Sequence, residues 1–238
     1  MKKPSPSLKR AFSLIETVVA IGVLAVLLTG FMIVFAPAAA GIKKSINAQE
    51  ADRLASTLEQ ELVTSRGSDP SPGFNKAFLW LRESNNVNTA LLVYQYRGSL
   101  SSNRADGTPQ PVANATSMRP GVDYSVVSMV RRKNDSSFTQ DMEAVEGGVY
   151  LVKCKQLVFD SNGQLTPGTA GQIRSPKPNT TPPGPFTDAA EYPEAVVAFT
   201  AEFFALPGKR SGYFGDPFTK SFPNFKNPVF TRNLAVRR

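Results

Sequence analysis

The stretch that decides the fold is Phe12 to Ile42, FSLIETVVAIGVLAVLLTGFMIVFAPAAAGI, which follows the basic leader MKKPSPSLKRA. No charged residue lies between Thr17 and Ile42. A helix needs about 20 apolar residues to cross the hydrocarbon core of a bilayer, so this stretch is long enough to span a membrane. One carboxylate, Glu16, lies just inside its start. An ionised group there costs free energy, which makes Glu16 a candidate functional residue whose partner must be a cation at the same depth.

The residues around Glu16 resemble a known processing signal. KRA at positions 9–11, then FSLIE at 12–16 and an unbroken apolar helix, is similar to the prepilin signal of type IV pilins and type II secretion pseudopilins. In that family a membrane-embedded aspartyl peptidase cuts before the Phe and methylates the new amino terminus. The resemblance implies cleavage between Ala11 and Phe12, N-methylation of Phe12 and an assembly role for Glu16. The family usually has Gly where this chain has Ala11, and an apolar residue is common where it has Thr17.

Two other interpretations of this stretch remain open from the residues alone. An ordinary secretory signal has a shorter apolar core with a small-residue cleavage site after it. Residues 38–40 (AAA) imitate such a site, but the apolar core before them is too long. A plain signal-anchor fits the hydropathy and leaves Glu16 without a purpose.

The charge distribution predicts the topology. Lys2, Lys3, Lys9 and Arg10 give the leader four cations and no acid, so cleavage lowers the net charge of the 238-residue chain from +8 to +4. Positive residues before a span hold that end in the cytoplasm. The chain is therefore predicted to cross the inner membrane once, with its C-terminal domain in the periplasm or outside the cell.

The cysteine and histidine counts limit the function classes. Cys154 is the sole cysteine, so it forms no intrachain disulfide, and there is no histidine. Histidine-based triads and His-ligated zinc are thereby excluded, and we predict no cofactor and no enzymatic activity. The carboxylates Asp141, Glu143 and Glu146 suggest either a calcium site or a solvated loop.

The fold class predicted is α+β, with a long N-terminal helix on an antiparallel sheet. A cleaved leader (1–11) and a transmembrane helix (12–37) precede an amphipathic helical continuation (38–66). The apolar stripe of the continuation is predicted to lie on the sheet and consists of Ile42, Ile46, Ala51, Leu54, Leu58 and Leu62.

Residues 74–238 are predicted to form a β-rich head. Strand patterns occur at 90–96, 124–130, 149–159 and 195–206, and a turn at 160–163 leads into a hairpin. The hairpin sequence LVFDSNGQL (157–165) resembles that of minor pseudopilins of the H type and related minor pilins. Residues 74–83 fit either a helix or a strand, and the proline-rich range 166–193 is predicted to be a surface loop.

The C-terminal tail, 207–238, has a net charge of +6 and interleaves aromatic with basic residues. Basic charge with stacking aromatics is typical of nucleic-acid contact, whereas phenylalanines can equally pin a tail to the body. The candidate polyanion or partner contacts are Lys209, Arg210, Arg232, Arg237 and Arg238.

The function predicted is that of a structural subunit, minor rather than major, of a type IV pilus-like or type II secretion pseudopilus filament. The partners implied by the resemblance are the prepilin peptidase, other pilin or pseudopilin subunits, the assembly platform and the membrane. The alternative is a membrane-anchored binding protein that never polymerises and contacts DNA through its basic tail.

Overall fold

The computed structural model describes residues 13–63, 73–113, 117–177 and 184–238. Two compact units are distinguished, residues 1–46 and 47–238. The helices are α1 (Leu14–Val63), α2 (Phe74–Glu83), α3 (Phe138–Glu143) and α4 (Asp216–Ser221). The strands are β1 (Leu91–Asn103), β2 (Pro109–Pro111), β3 (Ser125–Arg132), β4 (Val145–Phe159), β5 (Leu165–Ala170), β6 (Val196–Ala205) and β7 (Phe230–Arg237). The predicted α+β class is confirmed.

The first unit consists, in its described part, of the beginning of α1. The helix continues through Pro37, and its side chains from Leu14 to Ile42 are exposed. Among the described residues, α1 is the one helix long and apolar enough to cross a membrane. Apolar exposure on every side is what a helix shows when lipid or other helices are its natural surroundings.

The second unit begins with the last part of α1, which packs on the sheet. Its buried apolar residues are spaced three or four apart, as one helix face requires: Ala51, Leu54, Ala55, Leu58 and Leu62. The predicted stripe was wrong at its start, since Ile42 is 63% and Ile46 56% exposed. Periodicity shows which face is apolar but not where the covering sheet begins.

Seven antiparallel strands form one sheet in the order β2-β1-β4-β6-β7, with β3 also on β1 and β5 also on β4. The strands β1, β3, β4 and β6 lie where the sequence predicts them. Gly163 adopts φ 76° in the turn between β4 and β5, which confirms the hairpin. The ambiguous range 74–83 is a helix, α2.

Side chains of β4 alternate between two cores. Tyr150, Val152 and Cys154 face α1 and α2, whereas Val149 and Leu151 face the opposite side, with α3 and α4. The sheet is therefore covered on both faces.

The predicted loop and the C-terminal tail both contain regular structure. The range 166–193 was predicted as a loop, but residues as far as Ala170 belong to β5, and Ile173, Phe186 and Tyr192 are buried. Pro167 is tolerated because β5 pairs only with β4, as an edge strand. The C-terminal tail, 207–238, contains α4 and the strand β7, which pairs with β6 from Phe230 to Arg237.

Candidate processing and assembly site

Ser13 and Glu16 shape the start of α1. The Ser13 hydroxyl accepts a hydrogen bond from the Glu16 backbone N–H at 3.2 Å, and the Ser13 carbonyl accepts one from Thr17 N–H at 3.2 Å. Serine followed three residues later by glutamate is the spacing of a capping box. A carboxylate in the first turn also interacts favourably with the helix dipole. Glu16 therefore has a local role that the sequence analysis missed.

The surroundings of Glu16 are apolar. Leu14 and Ile15 are 86% and 73% exposed, and Val18 and Val19 follow at 61% and 59%. Within the described ranges, no cation lies within 4.0 Å of the Glu16 carboxylate. The predicted cleavage pair, Ala11 and Phe12, lies outside the described residues, so its position relative to Glu16 stays a prediction.

The one hydroxyl in the middle of the apolar span is satisfied locally. Thr29 donates its hydroxyl hydrogen to the Ala25 carbonyl at 2.8 Å. Such a bond removes the cost of an unpaired polar group in hydrocarbon. Glu16 is thus the one acidic residue that the described span leaves for an external partner.

Helix α1 is fixed to the body by polar contacts as well as by its apolar stripe. Glu50 accepts hydrogen bonds from the Gly148 N–H at 3.0 Å and the Tyr150 hydroxyl at 2.8 Å. Gly147 adopts φ 68°, and a Cβ there would come within 2.3 Å of Glu50 Oε1. The buried pair Lys76–Glu61, at 2.8 Å, joins α2 to α1. Specific side chains thereby hold residues 47–63 of α1 on the body.

The structure separates the five predicted tail contacts. Arg232 lies beside α1, with Ser56 Oγ at 3.2 Å and the Glu59 carboxylate at 3.9 Å. Arg238 donates to the carbonyls of Ala189 (2.5 Å) and Tyr192 (3.3 Å). Both arginines are therefore engaged within the chain.

The other three predicted tail contacts, Lys209, Arg210 and Arg237, are exposed. The aromatic side chains between them are largely unavailable for stacking on bases, because Phe214, Phe218 and Phe222 are buried. Contact of the tail with DNA stays a prediction.

A buried charge network, which the sequence analysis missed, lies under the end of β1. Asp141 is fully buried and accepts hydrogen bonds from the Tyr94 hydroxyl at 2.6 Å and Arg131 Nε at 2.8 Å. Arg104 Nη1 lies 2.7 Å from Asp141 Oδ1, as an ion pair without hydrogen-bond alignment. Arg131 also reaches Asp106 at 3.1 Å. Burial, with the charge of Asp141, raises the pKa of Tyr94 well above its ordinary value.

The three carboxylates considered for calcium have separate environments. Asp141 belongs to the buried network, whereas Glu146 accepts the Tyr124 hydroxyl at 2.8 Å and Glu143 is exposed. Among the described residues, no group of three or more His, Cys, Asp or Glu side chains is arranged to hold a metal ion.

Cys154 is expected to be unreactive in the folded protein. Its thiol is buried in β4, and burial raises its pKa to about 12. At pH 8 the thiolate fraction is then on the order of one in ten thousand, and the thiolate is the reacting species. A maleimide reagent should label the native protein negligibly and the urea-denatured protein fully. Rapid labelling of the native protein would contradict the burial.

The comparisons with known proteins agree with the geometry of the amino-terminal segment. Residues 6–32 match the family model described as the prokaryotic N-terminal methylation motif. No curated protein and no solved structure matches the chain, so the resemblance of the 157–165 hairpin to minor pseudopilins stays a prediction. The match covers Ala11, Phe12 and Glu16 and continues well into α1. The amino-terminal segment of this chain thus carries a type IV pilin-like prepilin signal.

Proposed function

We propose that this protein is a structural subunit of a type IV pilus-like or type II secretion pseudopilus filament, assembled through α1. The observation that carries the proposal is the match to the methylation motif at 6–32, followed by a helix that is exposed from Leu14 to Ile42. Exposed apolar surface on this scale needs lipid or other helices to cover it. The membrane covers this apolar surface before assembly, and the filament core covers it afterwards.

The carboxylate of Glu16 gives this assembly a register. Cleavage before Phe12 creates a new amine, and the Glu16 carboxylate of a neighbouring subunit is a matching acceptor. Apolar contacts alone allow helices to slide, whereas a buried charge pair is costly to break, about 3–5 kcal/mol when one partner is removed. Specific pairing between Glu16 and a neighbour's Phe12 amine therefore selects one axial offset.

The finer assignments rest on the sequence. The chain length, the proline-rich range and the absence of a second cysteine favour a minor subunit. The leader cations favour a cytoplasmic amino terminus and a body in the periplasm or outside the cell. The role is structural rather than catalytic, with the prepilin peptidase and the assembly platform as partners.

Processing and filament incorporation test the proposal. Intact-mass measurement of membrane-extracted protein should show loss of residues 1–11 and one methyl group on Phe12. The processed protein should also appear in the fraction sheared from the cell surface. Protein that still begins at Met1 in cells with an active prepilin peptidase would refute the processing. Processed protein that never enters the sheared fraction would favour the non-polymerising anchor.

A further inference from the structure

Four cations over one face of the sheet have no acidic partner. Lys209, Arg210, Lys220 and Lys226, here called the basic cap, are exposed on the segment that contains α4. Within the described ranges, no carboxylate lies within 4.0 Å of any of them. Phe214, Phe218 and Phe222 bury the inner side of the same segment. The segment is therefore held firmly while its charges face solvent.

Cations elsewhere in the body are mostly matched. Lys155 lies 2.6 Å from Glu202, Lys177 lies 2.9 Å from Glu194, and Arg132 lies 3.1 Å from Glu83. Arg232 and Arg238, from the same C-terminal region, are also engaged. The basic cap thus brings four exposed cations without an acidic partner into one segment of the chain.

Exposed negative charge occurs at a short 3-10 helix, Ala189–Glu191. Asp188 and Glu191, here called the acidic ridge, are exposed, and no cation of the described chain lies within 4.0 Å of either carboxylate. Asp188 accepts a hydrogen bond from the Ala190 N–H at 2.9 Å, which fixes the start of the turn. Ala189 and Tyr192 are buried beside them, so the ridge is anchored in the body.

The cap and the ridge lie on opposite faces of the sheet. The cap segment packs in the core that contains Leu151, whereas the ridge segment packs in the core that contains Val152. Adjacent residues of one strand point to opposite faces. The cap of a copy therefore cannot reach its own ridge, but it can reach the ridge of another copy.

We propose that the basic cap of one copy binds the acidic ridge of a second copy. The two surfaces differ, so the contact is heterologous and, when repeated, builds an open chain rather than a closed dimer. Lys209 and Arg210 lie at the edge of a concave site of 510 Å³, which Tyr213 and Pro217 also line. The buried phenylalanines make this surface unsuited to base stacking, which favours a protein partner. The contact rests on the proposed filament function for its setting and adds body contacts to the helical ones.

Charge-reversal variants of the two surfaces test the contact. Full-length processed protein in detergent micelles is compared by analytical ultracentrifugation at low and high salt. Lys209→Glu with Arg210→Glu, and separately Asp188→Lys with Glu191→Lys, should each weaken self-association about tenfold or more at low salt. An equimolar mixture of the two variants should restore association, because each then finds an opposite surface. High salt should abolish the difference in association between the wild type and these variants.

The controls separate this contact from folding and from the helix. Arg119→Glu reverses the charge at an arginine that is 74% exposed and lies outside the cap. This variant should leave association unchanged, in contrast to Arg210→Glu. Cys154 should stay unlabelled in every variant, which reports an intact fold. All variants keep α1, so association through the helix is common to them. Because the readout is association of purified protein, it can fail while filament incorporation in cells succeeds, and the reverse.

Two results would overturn the proposal. Reversed variants that associate as the wild type does, or a mixture that stays dissociated, would show that cap and ridge do not meet. Binding of a fluorescent single-stranded oligonucleotide that is lost in Lys209→Glu with Arg210→Glu, with self-association unchanged, would instead assign the cap to nucleic acid.

Discussion

Glu16→Leu is expected to give a processed, membrane-resident protein that is missing from the sheared filament fraction. The substitution removes the carboxylate that we propose to pair with a neighbour's Phe12 amine, so that amine is left uncompensated in an apolar core. Loss of one partner of a buried pair costs about 3–5 kcal/mol, which is a factor of roughly 150 to 4,000 in an assembly equilibrium. Insertion and cleavage precede any contact with a neighbour and should persist.

The variants Glu16→Gln and Glu16→Asp separate the charge of the side chain from its size. Glutamine keeps the size and the polar end of the side chain but loses the charge, so it should fail to assemble as leucine does. Aspartate keeps the charge with a shorter reach and should be intermediate. Immunoblots of membrane and sheared fractions, with the wild type as reference, measure each variant. Normal incorporation of Glu16→Leu would overturn the pairing while leaving the cleavage site intact.

Asp141→Asn is expected to destabilise the body by about 3–5 kcal/mol, because it leaves the buried Arg131 and Arg104 guanidinium groups without their shared anion. This is a large part of the 5–15 kcal/mol that typically separates folded from unfolded domains. Trp80, the sole tryptophan, is 8% exposed and reports unfolding by its fluorescence. Urea titration of the full chain in detergent micelles should show a clearly lower midpoint than the wild type.

Asp123→Asn is the matched control for this measurement. Asp123 pairs with Arg119 at 3.8 Å on the surface, where the partners are 36% and 74% exposed. Exposed pairs contribute about 0–1 kcal/mol, so this change should move the urea midpoint little. Equal midpoints for Asp141→Asn and Asp123→Asn would show that the buried network adds no stability.

The parts of the fold that the sequence predicted are those with a strong local pattern. β4 and β6 are dense in branched and aromatic residues, and the turn before Gly163 has the residue types that a hairpin needs. The strand β7 was missed because its sequence, FTRNLAVR, has two arginines and only a short apolar alternation. Its pairing with β6 is a tertiary effect that local propensity does not contain.

The candidate sites also divide into those with a local sequence signal and those without one. Glu16 could be identified because a single carboxylate in an apolar run can be recognised from the sequence alone. The Asp141 network could not, since its members Tyr94, Arg104 and Arg131 are far apart in the chain and meet only in the folded sheet. The tail arginines were selected by composition, and the structure shows that Arg232 and Arg238 serve the body itself.

The contact of Glu50 with Gly148 and Tyr150 has a mechanical consequence. In the proposed assembly, a force along α1 passes to the body near Glu50, ahead of the apolar stripe that begins at Ala51. Through these two hydrogen bonds the load reaches β4, a strand paired on both sides, rather than a loop. The part of α1 that packs on the sheet then moves together with the sheet. A side chain at Gly147 would displace the Glu50 carboxylate and remove this polar connection between helix and sheet.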